Sequence, residues 1–254
     1  MKPIEGMAVI VTGGGSGIGA ATARWFCERG AHVAINGRRA DKVADVARSV
    51  HPRCRGVPGD VTVAADRQRL LDAAVERSDG RLDLLVNNAG NMYRGAITDL
   101  DEHELQQVFA TNVIGAMMMT GLAVPALAAG RGCVVFIGSV HTQRAFPGAS
   151  PYAATKGAVE TLTGVLAAEL GPKGIRVGCV RPGAVHTEIN VRAGLGTAEE
   201  AEARLQSLAP AHALGRIGTP TEVAEAIGYL AQAEWATGSV LTIDGGLGLG
   251  VTNA

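Results

Sequence analysis

The sequence predicts an α/β fold in a single domain, a doubly wound parallel sheet flanked by helices. Three observations predict it. Short β-rich runs alternate with longer helical patterns along the whole chain. The strand runs are continuously apolar rather than alternating, which marks strands buried on both faces. The first of them leads into a glycine-rich turn that opens a helix, "TGGGSGIG", Thr12 to Gly19. Right-handed crossovers then make the doubly wound arrangement the natural topology.

The elements follow in order. "MAVIVT" (7–12) reads as a buried strand, and "GIGAATARWFCERG" (17–30) as a helix with Gly30 just past its end. "HVAIN" (32–36) is a second strand and "ADKVADVARSV" (40–50) a second helix. A third strand lies within "RCRGVPGDV" (53–61), followed by an amphipathic helix over 63–78 and a fourth strand, "LDLLVN" (82–87). A long helix spans about 102–129, "GCVVFIGS" (132–139) is strand five, and 150–170 is helix. "IRVGCV" (175–180) is strand six. A polar stretch leads to a helix near 220–232 and a last strand, "SVLTID" (239–244). No linker, repeat or low-complexity segment divides residues 1–254, so one domain is expected.

Composition narrows the function. With 23 basic and 24 acidic residues and no run of either sign, nothing argues for a nucleic-acid or membrane-surface partner. Cys27, Cys54, Cys133 and Cys179 lie far apart, without metal-type or C-x-x-C spacing, and read as reduced, buried small hydrophobes. A cytoplasmic location is expected on that ground. "MAVIV" is too short for a signal-peptide core. The longest apolar stretch, from Ala116, is too short to span a bilayer and holds Pro125, so its Met cluster reads as core packing.

The glycine turn sits where backbone N–H groups and a helix dipole hold a pyrophosphate. The alternative is an ordinary tight turn. Its spacing is G-x-x-x-G-x-G through Gly13, Gly17 and Gly19, and Gly15, Ser16 and Ile18 complete the candidate cofactor contacts. It is neither the common G-x-G-x-x-G fingerprint nor a phosphate-binding loop ending in G-K-[ST]. An acid after strand two would select NAD through the 2′-hydroxyl. This chain has Gly37, Arg38 and Arg39 there, and guanidinium groups suit the 2′-phosphate of NADP. Two solvated arginines opening a helix are the competing reading.

"SPYAATKGAVETL" (150–162) places Tyr152 and Lys156 one helical turn apart. By itself the pair reads first as a half-exposed edge with a snorkelling lysine. The catalytic reading needs a bound cation beside Lys156 to bring the phenol, ordinarily near pKa ~10, toward neutrality.

"TGGGSGIG", "NNAG" (Asn87 to Gly90), "TNVIG" around Asn112, Ser139, "YAATK" (Tyr152 to Lys156) and "RPGAVHT" (Arg181 to Thr187) stand in the order and spacing of the classical short-chain dehydrogenase/reductase family. The resemblance extends over essentially the whole chain, to "DGG" at Asp244, and implies a Rossmann-type fold. It implies Tyr152 as catalytic acid/base, Lys156 as its activator, Ser139 as the hydrogen-bonding partner of the substrate carbonyl and Asn112 as organiser of a water-linked proton path. It further implies cofactor contacts from Asp60 and Val61 at the adenine, from Asn88, Ala89 and Gly90 beside the adenosine ribose, and from Pro182, Gly183, Val185 and Thr187 at the nicotinamide amide. Tyr152 and Lys156 join these contacts at the nicotinamide ribose. Position 16 is serine where many NADP-preferring members carry a basic residue.

The expected activity is therefore NADP(H)-dependent interconversion of a carbonyl and a secondary alcohol, with NAD as the other cofactor choice. "PGASPYAATKGAVETLT" and "GRIGTPTEVAEAIGYLA" are similar to the 3-oxoacyl-carrier-protein reductases. "SVH" and "RPGAVHTEIN" are closer to the glucose 1-dehydrogenases, so an NAD-dependent sugar or polyol dehydrogenase is the rival. A dinucleotide sensor without catalysis is the third reading, against which all of Asn112, Ser139, Tyr152 and Lys156 are present. The substrate loop is expected at about 186–215, with His141 and His186 near its mouth as pocket-shaping groups. His32, His51, His103 and His212 have no expected chemical role, and no metal site is expected. The resemblance implies a homotetramer in which the Met-rich helix and the Tyr152 helix meet their own copies and the tail after Ser239 closes a second interface.

Overall fold

Seven apolar segments pair into one parallel sheet in the computed structural model, which describes residues 1–194 and 196–250. The chain runs β1 (Ala8–Val11), α1 (Gly17–Glu28), β2 (His32–Gly37), α2 (Ala40–Val50), β3 (Cys54–Pro58), α3 (Ala64–Val75) and β4 (Leu84–Asn87). It continues through α4 (Glu102–Phe109), α5 (Gly115–Gly130), β5 (Cys133–Ile137), α6 (Ser150–Leu170), β6 (Arg176–Pro182), α7 (Ile189–Arg192), α8 (Ala198–Gln206), α9 (Pro220–Gln232) and β7 (Ser239–Ile243). The strand order is β3-β2-β1-β4-β5-β6-β7. The winding reverses between β1 and β4, and such a reversal opens a crevice at the carboxyl ends of the two strands.

Alternate residues of each strand feed two cores, which is why the strand runs are apolar throughout. Val9, Val11, Leu84 and Val86 face α1 and α9, where Phe26 and Ile227 are fully buried. Ala8, Ile10 and Leu85 face the other way, toward Leu70 of α3, Met119 and Leu127 of α5 and Val159 of α6.

Three expectations change. The long helix is continuous from Glu102 to Gly130, but Ala110–Ile114 between α4 and α5 is a wider π-helical turn. Over its full 29 residues this helix is long and apolar enough to cross a membrane, although the stretch from Ala116 alone is not. Met119, Ala123 and Leu127 pack on the sheet, whereas Met117 and Met118 are exposed at 44% and 52%, so core packing describes only part of the Met cluster. The polar stretch after β6 contains two helices, α7 and α8, the second started by a Thr197–Glu200 capping box. Cys27, Cys133 and Cys179 are buried and Cys54 half-buried. The fold brings the Cys27 and Cys54 side chains into hydrogen-bond contact, which pushes the Cys27 thiol up. Leu195 in the substrate loop and 251–254 of the tail lie outside the described residues.

Candidate active site

The cofactor crevice is built on one threonine and one asparagine. Thr12, which follows β1, accepts at Oγ1 from the backbone N–H groups of Asn88 and Ala89, each at 3.0 Å. The Asn88 side chain donates back to the carbonyls of Thr12 (2.9 Å) and Gly13 (3.1 Å). The two strand ends are thereby tied, and the glycines fit under them. A Cβ on Gly13, whose φ is +66, would lie 2.8 Å from Ala89 Cα, and one on Gly19 would lie 2.4 Å from the Gly13 carbonyl oxygen. Ser16 caps α1 without a side-chain hydrogen bond. The first-turn N–H groups of a helix have no intrahelical acceptor, so here they remain available to an anion. These residues fit the pyrophosphate of a dinucleotide.

The two arginines after β2 behave differently. Arg39 makes an ion pair with Glu188 at 2.8 Å and reaches Ser16 Oγ at 3.5 Å. Arg38 donates to Asn91 Oδ1 at 3.3 Å and has no ion pair among the described residues. A contact between Glu188 and Arg39 bridges a sequence gap that no local pattern could signal.

The candidate catalytic group is assembled by one face of α6. Tyr152, Lys156 and Glu160 follow each other at helical spacing. Tyr152 is buried and lines one cavity together with Ser139. Lys156 Nζ donates to the Ile137 carbonyl at 2.7 Å and lies 5.4 Å from the Tyr152 ring centroid. Glu160 accepts from Arg181 through both carboxylate oxygens, at 2.9 and 2.7 Å, and from Thr142 Oγ1 at 2.9 Å. That carboxylate braces the Ser139 turn against β6. It sits one turn beyond Lys156, a signal the spacing offered and sequence reasoning missed.

Burial sets the protonation states. It pushes the Tyr152 phenol up to about 12, against the opposing influence of the Ser139 hydroxyl, and Lys156 down to about 8. The lysine does not bring the phenol toward neutrality by itself, because both groups are buried together. His141 has its Nδ1 3.0 Å from Ser139 Oγ and its ring edge-on to Tyr152. Burial, then Arg94 and Lys156, hold it down to about 4, so it is neutral at physiological pH.

Asn112 lies in the π-helical turn, a feature common at functional sites. Its Oδ1 accepts from Asn91 N–H (2.8 Å), and its Nδ2 donates to the Asn91 carbonyl (2.9 Å) and Thr155 Oγ1 (3.0 Å). Thr155 in turn donates to the Tyr152 carbonyl at 2.8 Å. Asn112 thus braces the loop after β4 against α6, through Asn91 and Thr155, which the sequence did not single out.

Two adjoining cavities meet at Tyr152. One, of about 90 Å³, is lined by Gly13, Ser16, Gly17, Ile18, Asn88, Gly90, Tyr152, Lys156 and Thr187 among the expected cofactor residues. The other, of about 180 Å³, is lined by Ser139, His141, Tyr152, Pro182, Gly183, Val185 and Thr187, with residues of α7 and α8 closing it. Gly15, Gly19, Arg38, Arg39, Asp60, Val61, Ala89 and Asn112 line neither. The Asp60 side chain accepts from the Thr62 N–H and hydroxyl, and Val61 is buried. His186 is turned onto Glu202 at 2.6 Å and does not join the Tyr152 cavities. His212 is buried with its Nδ1 2.8 Å from the Leu208 carbonyl. No group of three or more metal-ligating side chains occurs among the described residues.

Comparison with known proteins agrees with this geometry. Residues 13–248 match the family model described as enoyl-(acyl carrier protein) reductase. An uncharacterized oxidoreductase of Methylorubrum extorquens is 38% identical over 97% of this chain and 100% of its own. L-fucose dehydrogenase of Bos taurus is 38% identical over 96% of this chain and 90% of its own. Among solved structures, 3-ketoacyl-(acyl-carrier-protein) reductase from Brucella melitensis complexed with NADH superposes with a TM-score of 0.86 at 30% identity, covering 96% of this chain and 99% of that one.

The state of His141 predicts an acid sensitivity. Its folded pKa, about 4, lies below the unfolded value of 6.5, so between the two the unfolded chain binds the proton and the native chain does not. Stability is lost as pH falls through that window, by about 2 kcal/mol at a pH of about 5. Urea unfolding of the protein and of His141→Gln at pH values of about 7 and 5 is expected to show a smaller acid loss in the variant by roughly that amount.

Proposed function

The chain belongs to the short-chain dehydrogenase/reductase family, and from that premise we propose an NADP(H)-dependent oxidoreductase that interconverts a small carbonyl compound and its secondary alcohol. The observation that carries this reading is Tyr152, which borders both cavities, sharing one with Ser139 and the other with the buried Lys156. The nicotinamide cofactor supplies and accepts the hydride. Ser139 and Tyr152 hold the carbonyl oxygen from their hydroxyl groups. In reduction the Tyr152 O–H gives its proton to that oxygen as it gains charge, and in oxidation the phenolate takes it back. Lys156 stabilises the phenolate in a site closed to water. Gly13, Gly15, Ser16, Gly17, Ile18 and Gly19 hold the pyrophosphate.

A sugar or polyol dehydrogenase using NAD is the second reading, favoured by the similarity to L-fucose dehydrogenase. A dinucleotide sensor is disfavoured because Ser139, Tyr152 and Lys156 converge on one cleft. A cytoplasmic location accords with four free cysteines.

Tyr152→Phe removes one oxygen from the proton path. Turnover on a verified substrate is expected to fall about 10²-fold or more, with cofactor affinity nearly unchanged. Unchanged turnover would exclude Tyr152 as the proton donor.

The cofactor preference rests on Arg38, since Arg39 is engaged by Glu188. A charge-assisted contact to a 2′-phosphate contributes about 1.5–3 kcal/mol, or about 10- to 150-fold in affinity. Steady-state constants for NADPH and NADH are expected to favour NADPH, and Gly37→Asp with Arg38→Ala to reverse the order by adding repulsion. A protein that prefers NADH tenfold would contradict the assignment to Arg38.

We further propose a homotetramer. Ile114, Met117 and Met118 on the long helix and Val165 on α6 are exposed large apolar side chains that a second copy would cover. Light scattering at micromolar concentration is expected to give the mass of four chains, and the mass of one would reject the assembly.

A further inference from the structure

The larger cavity beside Tyr152 has an unusual charge balance. Among the described residues its polar side chains are Arg94, Ser139, His141, Tyr152, Thr187 and Arg204, with no aspartate, glutamate, asparagine or glutamine. Arg94 stands in the loop after β4, half-buried, with Nη2 donating to the Pro147 carbonyl at 2.9 Å. Arg204 comes from α8 in the substrate loop. Neither forms an ion pair among the described residues. Both guanidinium-bearing side chains line this one cavity, and burial, then the charge of Arg204, hold Arg94 below its ordinary value. The neutral His141 adds no charge.

Two like charges facing one cavity repel, and a half-buried guanidinium without a carboxylate is costly. A ligand with an anionic end relieves both, because each planar fork matches a carboxylate or a phosphate. The remaining walls are apolar, with Met92, Phe146, Leu205, Leu208 and Leu247 among them. A polyol would instead need several side-chain acceptors for its hydroxyl protons, and among the described residues the cavity offers hydroxyl groups and one imidazole but no carboxylate or amide.

Resting on the oxidoreductase reading above, we propose that the substrate carries a carboxylate or phosphate at the end remote from its reacting carbonyl, held between Arg94 and Arg204, with a mainly apolar skeleton between the two. The carbonyl meets Ser139 and Tyr152 at the inner end of the cavity, and the two arginines select the anion from a loop after β4 and a helix of the substrate loop.

The test uses matched pairs of compounds with the full-length protein and saturating NADPH. One pair is a short oxo acid and its methyl ester; the other is a phosphorylated ketone and the free hydroxyketone. The wild-type protein is expected to show a kcat/KM at least about 10-fold higher for the anionic member of one pair, and the larger ratio identifies carboxylate or phosphate. In Arg94→Gln, Arg204→Gln and the double variant that ratio is expected to fall toward one, chiefly through KM. Calorimetric binding of the corresponding hydroxy acid to the NADPH complex, a combination that cannot react, is expected to weaken by a similar factor. A wild-type ratio near one in both pairs, or a ratio preserved in the double variant, overturns the proposal. If neutral ketones or sugars are reduced as well as the anions in a Tyr152-dependent reaction, this inference falls and the oxidoreductase reading stands. If no carbonyl compound is turned over and no hydroxy acid binds, both fall.

Discussion

The hydrogen bond from Lys156 Nζ to the Ile137 carbonyl, at 2.7 Å inside the protein, is the contact on which the site depends. An ammonium withdrawn from water pays several kcal/mol of desolvation, and here it is held in place by the last carbonyl of β5. That carbonyl is free to accept because the strand ends there and the chain turns into the Ser139 segment. The same contact fixes the rotation of α6, and with it the direction of Tyr152 one turn earlier and Glu160 one turn later. Glu160 then anchors Arg181 and Thr142, so the ends of β5 and β6 are locked to the same helix face. The catalytic hydroxyl groups of Ser139 and Tyr152 are positioned by this lattice of strand ends and one helix.

The burial that fixes these groups also opposes their ionisation. A phenol held up to about 12 is a poor base at neutral pH, and a lysine held down to about 8 is an incomplete counter-charge. A second positive charge in the cleft favours phenolate, and the oxidised nicotinamide ring carries one. Acid/base competence is therefore coupled to cofactor binding, which disfavours proton exchange at Tyr152 in the protein alone. The apolar cavity on the other side of Tyr152 extends the same logic to the substrate, whose charge is placed far from the reacting oxygen.

Most of the fold was legible in the sequence because it rests on local signals. Continuous apolar runs such as "MAVIVT" and the glycine turn at Thr12–Gly19 each require one arrangement, and both stand where they were expected. Tyr152, Lys156 and Ser139 were legible through the ordered set of motifs that resembles the family, since helical spacing alone left the Tyr152–Lys156 pair open to a surface reading. Contacts between distant segments were not. Nothing near Arg39 points to Glu188, Arg94 and Arg204 reach one cavity from segments far apart in sequence, and Cys54 joins the core around Cys27 only once β3 lies beside β2. The π-helical turn at Asn112 leaves no trace in the periodicity, since a single widened turn shifts the apolar face without ending the helix. The short helices α7 and α8 escaped because a polar stretch with two glycines and scattered charges has no dominant period.

Alkaline spectrophotometric titration of the tyrosines tests the coupling most directly. The chain has three tyrosines, so the difference between the protein and Tyr152→Phe isolates one phenol. In the protein alone that phenol is expected to ionise with the most alkaline groups, in keeping with its value of about 12. With the oxidised cofactor bound it is expected to ionise at least about two pH units lower, the shift that an added cation produces at close range. An identical titration with and without the cofactor would contradict the account.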